Sequence, residues 1–130
     1  LYICEHCLKM SEAIQNRKIK FALVGCGRIS NNHFGSFEVL QEDCELVAVC
    51  DIDPVALEAT IKRTGAKGYA RYTEMLAETD ADVIVVTTPS GLHPEQAVEA
   101  LEAGFHVVTE KPMATCFTDG ERMVQAACLL

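Results

Sequence analysis

The chain has 130 residues, 49% of them apolar and 23% charged, and a net charge of −8. That is enough for one sizeable core, and the acidic balance argues against nucleic-acid or anionic-membrane partners. No apolar run approaches the roughly 20 residues of a bilayer span, and residues 1–20 lack the basic start and apolar stretch of a secretory leader, so a cytoplasmic location is expected.

Residues 1–17 read as an N-terminal extension. Cys4-Glu-His-Cys7 has half the spacing of a zinc site, but no second Cys/His pair follows at a usable distance, so no metal is expected. Met10-Ser-Glu-Ala leads directly into the first apolar run, which makes Met10 the expected natural start and leaves residues 1–9 without a role in the fold. The domain proper is expected over 18–130. Cys26, Cys44, Cys50, Cys116 and Cys128 stand singly and read as small buried thiols rather than a disulfide framework.

A β-prone run over 19–24 breaks into Gly25-Cys-Gly27-Arg-Ile-Ser30, and helical spacing resumes over 29–41. A second strand is predicted over 46–50. Asp53 as N-cap and Pro54 at the first helical position open a helix to residue 64, with Gly65 as its C-cap. A short strand (68–70) and a short helix (73–78) follow. Val83-Ile-Val-Val86 is a β-branched run suited to a strand buried on both faces. A helix over 95–103, a strand over 106–109 and a helix over 118–129 complete the pattern. This alternation predicts an α/β, Rossmann-like doubly wound parallel sheet with right-handed crossovers. A dinucleotide fold of two halves has six strands; only five are predicted here.

The glycine loop is the sharpest functional signal. A strand feeding a helix through two glycines aims backbone N–H groups and the positive end of a helix dipole at one point, a site suited to a pyrophosphate. Gly25 is expected to make the tight turn, Gly27 to let phosphates approach, and Ser30 to replace the usual third small residue where helix and strand pack. Such a loop also occurs as a plain turn. The context decides: Asp51, 24 residues after Gly27 at the end of the second strand, is placed to accept the ribose hydroxyls of NAD.

Ligands of open parallel sheets sit beyond the carboxyl ends of the strands. Besides the glycines and Asp51, this directs attention to Thr87-Thr-Pro-Ser-Gly-Leu-His93 and to Glu110-Lys-Pro112. Thr88, Pro89 and Ser90 are expected beside the cofactor, and His93 to cap the crevice or else to enter the following helix. Arg28 lies along the pyrophosphate or faces solvent, and Ile29 enters the site as the next residue of the loop. Glu110 binds the nicotinamide ribose or pairs with Lys111. Lys111 is the candidate for chemistry, a lysine that orients a substrate hydroxyl and removes its proton, provided partial burial beside the oxidised nicotinamide favours the neutral amine; the competing reading is a solvated surface lysine. His33 and His106 are expected to pack, and Asp53 to cap its helix rather than bind ribose.

Together the segments Gly25–Ser30, Val49–Asp53, Thr88–His93 and Glu110–Pro112 resemble the Gfo/Idh/MocA oxidoreductases over residues 18 to about 128, with Glu-Lys-Pro after the fifth strand as the most specific mark. Within that family they are most similar to sugar-nucleotide dehydrogenases. The resemblance implies NAD-linked oxidation of the C3 hydroxyl of UDP-N-acetylglucosaminuronate to a ketone, in a homo-oligomeric full-length enzyme. It places Lys111 near the C3 hydroxyl and the nicotinamide ribose, and Asp51 on the adenosine ribose. It also implies a sixth strand and a C-terminal α+β domain supplying most sugar contacts. On that basis the 130 residues are expected to be a truncated cofactor half, catalytically silent by itself.

Overall fold

The computed structural model describes residues 14–129; Cys4, Cys7 and Met10 lie outside the described residues. Five parallel strands, β1 (Ile19–Val24), β2 (Cys44–Cys50), β3 (Lys67–Tyr69), β4 (Val83–Val86) and β5 (His106–Thr109), form one sheet of order β3-β2-β1-β4-β5. The connections carry α1 (Ser30–Val39), α2 (Pro54–Thr64), α3 (Tyr72–Glu78) and α4 (His93–Glu102), and α5 (Phe117–Cys128) follows β5. No helix among the described residues is long and apolar enough to cross a membrane.

Strand alternation distributes the core. Leu23, Val49 and Val85 point to the face covered by Phe34 of α1 and by Leu57 and Ile61 of α2. Ala22, Val24, Ala48, Ile84 and Val86 point the other way, against Met75 of α3 and Ala100 of α4. The β-branched run of β4 is thus used on both faces, as its composition predicts.

Most boundaries fall within a residue or two of expectation. Asp53 accepts the Val55 N–H at 2.9 Å as the N-cap of α2, and Gly65 ends that helix with φ +73°. α4 begins at His93, two residues before the expected start, because Pro94 fits a first helical turn, whose N–H groups have no intrahelical acceptor. Two expectations fail in burial. His106 is exposed on the edge strand β5 rather than packed, and Cys116 is exposed at the N-cap of α5, its thiol 3.2 Å from Asp119 Oδ2. Cys44 and Cys128 are only half-buried, and all five described cysteines are free.

Arg17, read as extension, is tied to the domain. Its guanidinium makes two 2.8 Å hydrogen bonds to the Asp82 carboxylate, which also accepts the Lys20 N–H at 2.8 Å; Lys20 pairs with Asp80 alongside. The Arg17 hydrogen bonds hold the Asp82 carboxyl down at about 2, against the opposing effect of desolvation. A carboxyl lowered in the folded state contributes stability above its unfolded range, lost as pH falls through its folded value. Asp82→Asn is therefore expected to cost about 1–2 kcal/mol at neutral pH, discounted for the half-exposed arginine, and the deficit should shrink as pH falls toward about 2. Urea unfolding across that range checks it; an equal deficit at low pH would assign the loss to something other than charge.

Candidate cofactor-binding and catalytic site

The order of the sheet places β1 between β2 and β4, so the chain leaves β1 to one side and later returns to the other. That reversal opens a crevice beyond the carboxyl ends of β1 and β4, and the sequence places its glycine loop there. Gly25 has φ +97°, and a Cβ on it would lie 2.7 Å from the Thr87 carbonyl carbon and the Thr88 nitrogen. Thr87, which opens the segment singled out in the sequence but had no assigned role, is buried and fixes this approach: its N–H donates to Val24 O at 2.9 Å and its hydroxyl lies 2.6 Å from Gly25 O. Gly25 N–H donates to Cys50 O at 2.8 Å, bracing the loop from the β2 side.

Gly27 is different. A Cβ there would meet nothing within 4 Å, so its smallness serves open space rather than packing. Ser30 is fully buried, with its hydroxyl donating to Gly27 O at 2.6 Å, which suits the expected small third residue. Among the described residues the N–H groups of Gly27, Arg28 and Ile29 have no acceptor. Three free donors at the start of α1 face space kept open by a glycine, a fit to a pyrophosphate. The Arg28 side chain is exposed.

Asp51 leaves β2 with both carboxylate oxygens held. Oδ2 accepts the Cys26 N–H and Oδ1 the Asp53 N–H, each at 2.7 Å. Each oxygen keeps a further lone pair, so the carboxylate is fixed beside the glycine loop and can still accept the two hydroxyls of a ribose. The neighbouring thiols are not reactive groups: burial raises Cys26 and pushes Cys50 up to about 12.

On the opposite flank, the exits of β4 and β5 are joined. Glu110 N–H donates to Val86 O at 2.9 Å. His93, expected to cap the crevice or to enter the following helix, is 1% exposed and is the first residue of α4. Its Nε2 is 2.7 Å from Thr88 O and its Nδ1 2.9 Å from Pro112 O, so both nitrogens face backbone carbonyls rather than the crevice. The physical reason is Pro94, which starts α4 early and turns His93 inward. Thr88 itself is anchored by hydrogen bonding to Gln96 of α4, while Pro89 is exposed and Ser90 begins a short 3₁₀ turn into α4.

Glu110 does not pair with the Lys111 ammonium. Its Oε1 is 2.7 Å from Nε2 of His33, and its Oε2 accepts the Lys111 backbone N–H at 3.2 Å. The His33 contact, then the Lys111 N–H, hold the Glu110 carboxyl below the ordinary range. His33 on α1, expected only to pack, is thus a partner of the Glu-Lys-Pro segment. Lys111 is exposed rather than partly buried, and among the described residues its side chain makes no hydrogen bond or ion pair, although its charge also helps to lower Glu110; the Lys111–Pro112 peptide bond is cis.

A cavity of about 680 Å³ lies elsewhere, along α5 between Met113, Phe117 and Val124. Its lining carries none of the glycine-loop donors.

Comparison with known proteins gives the family of the fold. Residues 19–128 match the model of the Gfo/Idh/MocA oxidoreductase family, NAD-binding Rossmann fold. The WlbA dehydrogenase of Chromobacterium violaceum, solved in complex with NADH and UDP-GlcNAcA, is 64% identical with a TM-score of 0.87, over 88% of this chain and 33% of that one. The Bordetella pertussis WlbA dehydrogenase, solved with the same two ligands, is 54% identical with a TM-score of 0.86, over 88% and 34%. The inositol 2-dehydrogenase of Salmonella typhimurium is 32% identical over 110 residues, 83% of this chain and 33% of the enzyme. The chain spans about a third of the length of these relatives.

Proposed function

This chain belongs to the Gfo/Idh/MocA oxidoreductase family through its NAD-binding Rossmann domain, and on that premise we propose that it is the cofactor domain of a cytoplasmic dehydrogenase oxidising the C3 hydroxyl of UDP-N-acetylglucosaminuronate. The observation that carries this reading is the 64%-identical relative solved with NADH and UDP-GlcNAcA. The three free N–H groups of the glycine loop hold the pyrophosphate, and Asp51 accepts the adenosine ribose hydroxyls. Thr88, Pro89 and Ser90 line the nicotinamide side, with Glu110 toward its ribose. When bound, NAD supplies the acceptor for the hydride that leaves the sugar carbon. Lys111, as the neutral amine, accepts a hydrogen bond from the hydroxyl on that carbon and takes its proton, becoming the ammonium as the C–O bond becomes a carbonyl.

Mixing the full-length enzyme with NAD and UDP-N-acetylglucosaminuronate should produce NADH absorbance. A second reading, polyol oxidation, is favoured by the 32%-identical inositol 2-dehydrogenase; turnover of inositol and none of the nucleotide sugar would replace the first reading with this one.

Asp51 also sets the choice of cofactor. Its carboxylate repels a 2′-phosphate, and no Arg or Lys follows before Lys62 to neutralise one. NAD should therefore bind more tightly than NADP by titration calorimetry. Asp51→Ala removes the ribose acceptor and the anchor of the Cys26 N–H, so NAD should weaken by roughly 10–100-fold, in line with lost hydrogen bonds to a charged group, and the preference should narrow. Tighter NADP binding by the unsubstituted chain would contradict this assignment.

A further inference from the structure

We propose that His33 is a positioning residue that keeps Glu110 off the Lys111 ammonium. The inference rests on the proposed role of Lys111 as proton acceptor. Glu110 and Lys111 are adjacent, and the cheapest partner for a lysine ammonium beside a free carboxylate is that carboxylate. Here the carboxylate is taken on both oxygens, by His33 Nε2 at 2.7 Å and by the Lys111 backbone N–H at 3.2 Å. Side-chain exposures of 26% for His33 and 22% for Glu110 leave this contact less screened than a surface pair.

His33 can do this because of where it starts. It is the fourth residue of α1, the helix whose first turn follows the glycine loop, while Glu110 is pinned to the end of β4 through Val86 O. The contact bridges two of the segments that frame the crevice, from the pyrophosphate end to the Glu-Lys-Pro turn. Without the imidazole, the Glu110 side chain is free to rotate into a direct ion pair with Lys111, and a lysine held as a paired ammonium cannot take the proton of the substrate hydroxyl.

The test is a set of four variants of the full-length enzyme, each followed by kcat, KM for the nucleotide sugar, NADH affinity by fluorescence, and thermal melting. His33→Leu should lower kcat about tenfold, with both affinities and the melting temperature nearly unchanged. His33→Gln, which keeps an N–H at a similar reach, should recover kcat to within about twofold. Glu110→Ala sets the reference for losing the carboxylate, and His33→Leu combined with Glu110→Ala should be no slower than Glu110→Ala alone, the signature of residues acting through one contact. Equal damage by Leu and Gln, multiplying losses in the double variant, or an unaltered kcat in His33→Leu would each make His33 a packing residue and overturn the proposal. An unsubstituted enzyme without turnover would instead remove the functional reading on which it stands.

Discussion

Gly25→Ala should unfold at clearly lower denaturant and bind no measurable NADH. Two independent costs meet at this position. The backbone has φ +97°, a region that a side chain enters at a cost of about 1–3 kcal/mol. A Cβ there would also stand 2.7 Å from two backbone atoms of Thr87 and Thr88, which are fixed by the Thr87 hydrogen bonds to Val24 and Gly25 and cannot swing aside as a side chain would. Overpacking of that kind costs roughly another 1–3 kcal/mol, and the sum is a large part of the 5–15 kcal/mol that holds a typical domain together. Gly27→Ala is the control. A Cβ at Gly27 meets nothing within 4 Å, so its melting temperature should barely move, while NADH binding should fall because the added methyl fills space meant for phosphate. Normal stability in Gly25→Ala would show that the β1 and β4 exits can separate, and would break the account of why the loop needs glycine there.

That contrast marks where sequence reasoning reaches its limit. Gly-x-Gly after a β-prone run announced a turn and an anion site, because the backbone geometry required is a local property. It did not announce that Gly25 faces Thr87, since that contact joins residues 62 apart and depends on β1 and β4 lying side by side. The strands, the cap of α2 and the two-faced burial of β4 were legible for the same reason that the turn was: each is written in residue spacing over a few positions.

The histidines show the converse. His33 and His106 sit in elements that the sequence placed correctly, yet neither has the expected surroundings, and His93 takes the second of its two expected places, at the entry of α4. His106 is exposed because β5 lies at the sheet edge among the described strands. His93 turns inward because α4 starts at Pro94's first turn, and it stitches the two exits from below. His33 meets Glu110 because it lies in the first turns of α1, next to the glycine loop, while Glu110 is pinned to the end of β4. A side chain that can donate, accept or pack is assigned by its neighbours in space, and spacing along the chain does not supply them. For His33 one signal was available: a polar residue on the helix of the glycine loop, with an acidic residue just past a neighbouring strand.

Lys111→Ala should lower kcat of the full-length enzyme by about 10²–10⁴, the range expected for loss of a positioned acid–base group, and leave NADH affinity within a few-fold. The exposed side chain makes no hydrogen bond or ion pair among the described residues, so its removal should also leave stability within about 0.5 kcal/mol. Loss of turnover with fold and cofactor binding intact would separate a chemical role from a structural one. Lys111→Arg decides what the chemistry is. Arginine keeps the charge and much of the reach but does not give up its proton at any ordinary pH. If Lys111 takes the hydroxyl proton as the hydride leaves, the arginine variant should be nearly as slow as the alanine variant. If it retained turnover, Lys111 would serve as a fixed positive charge that orients the sugar, and the proton would have to leave through another group. Full activity in Lys111→Ala would make it a solvated surface lysine. With Glu110 held aside by His33, no carboxylate is ion-paired with Lys111, and its neutral amine is the form that takes the proton in the first outcome.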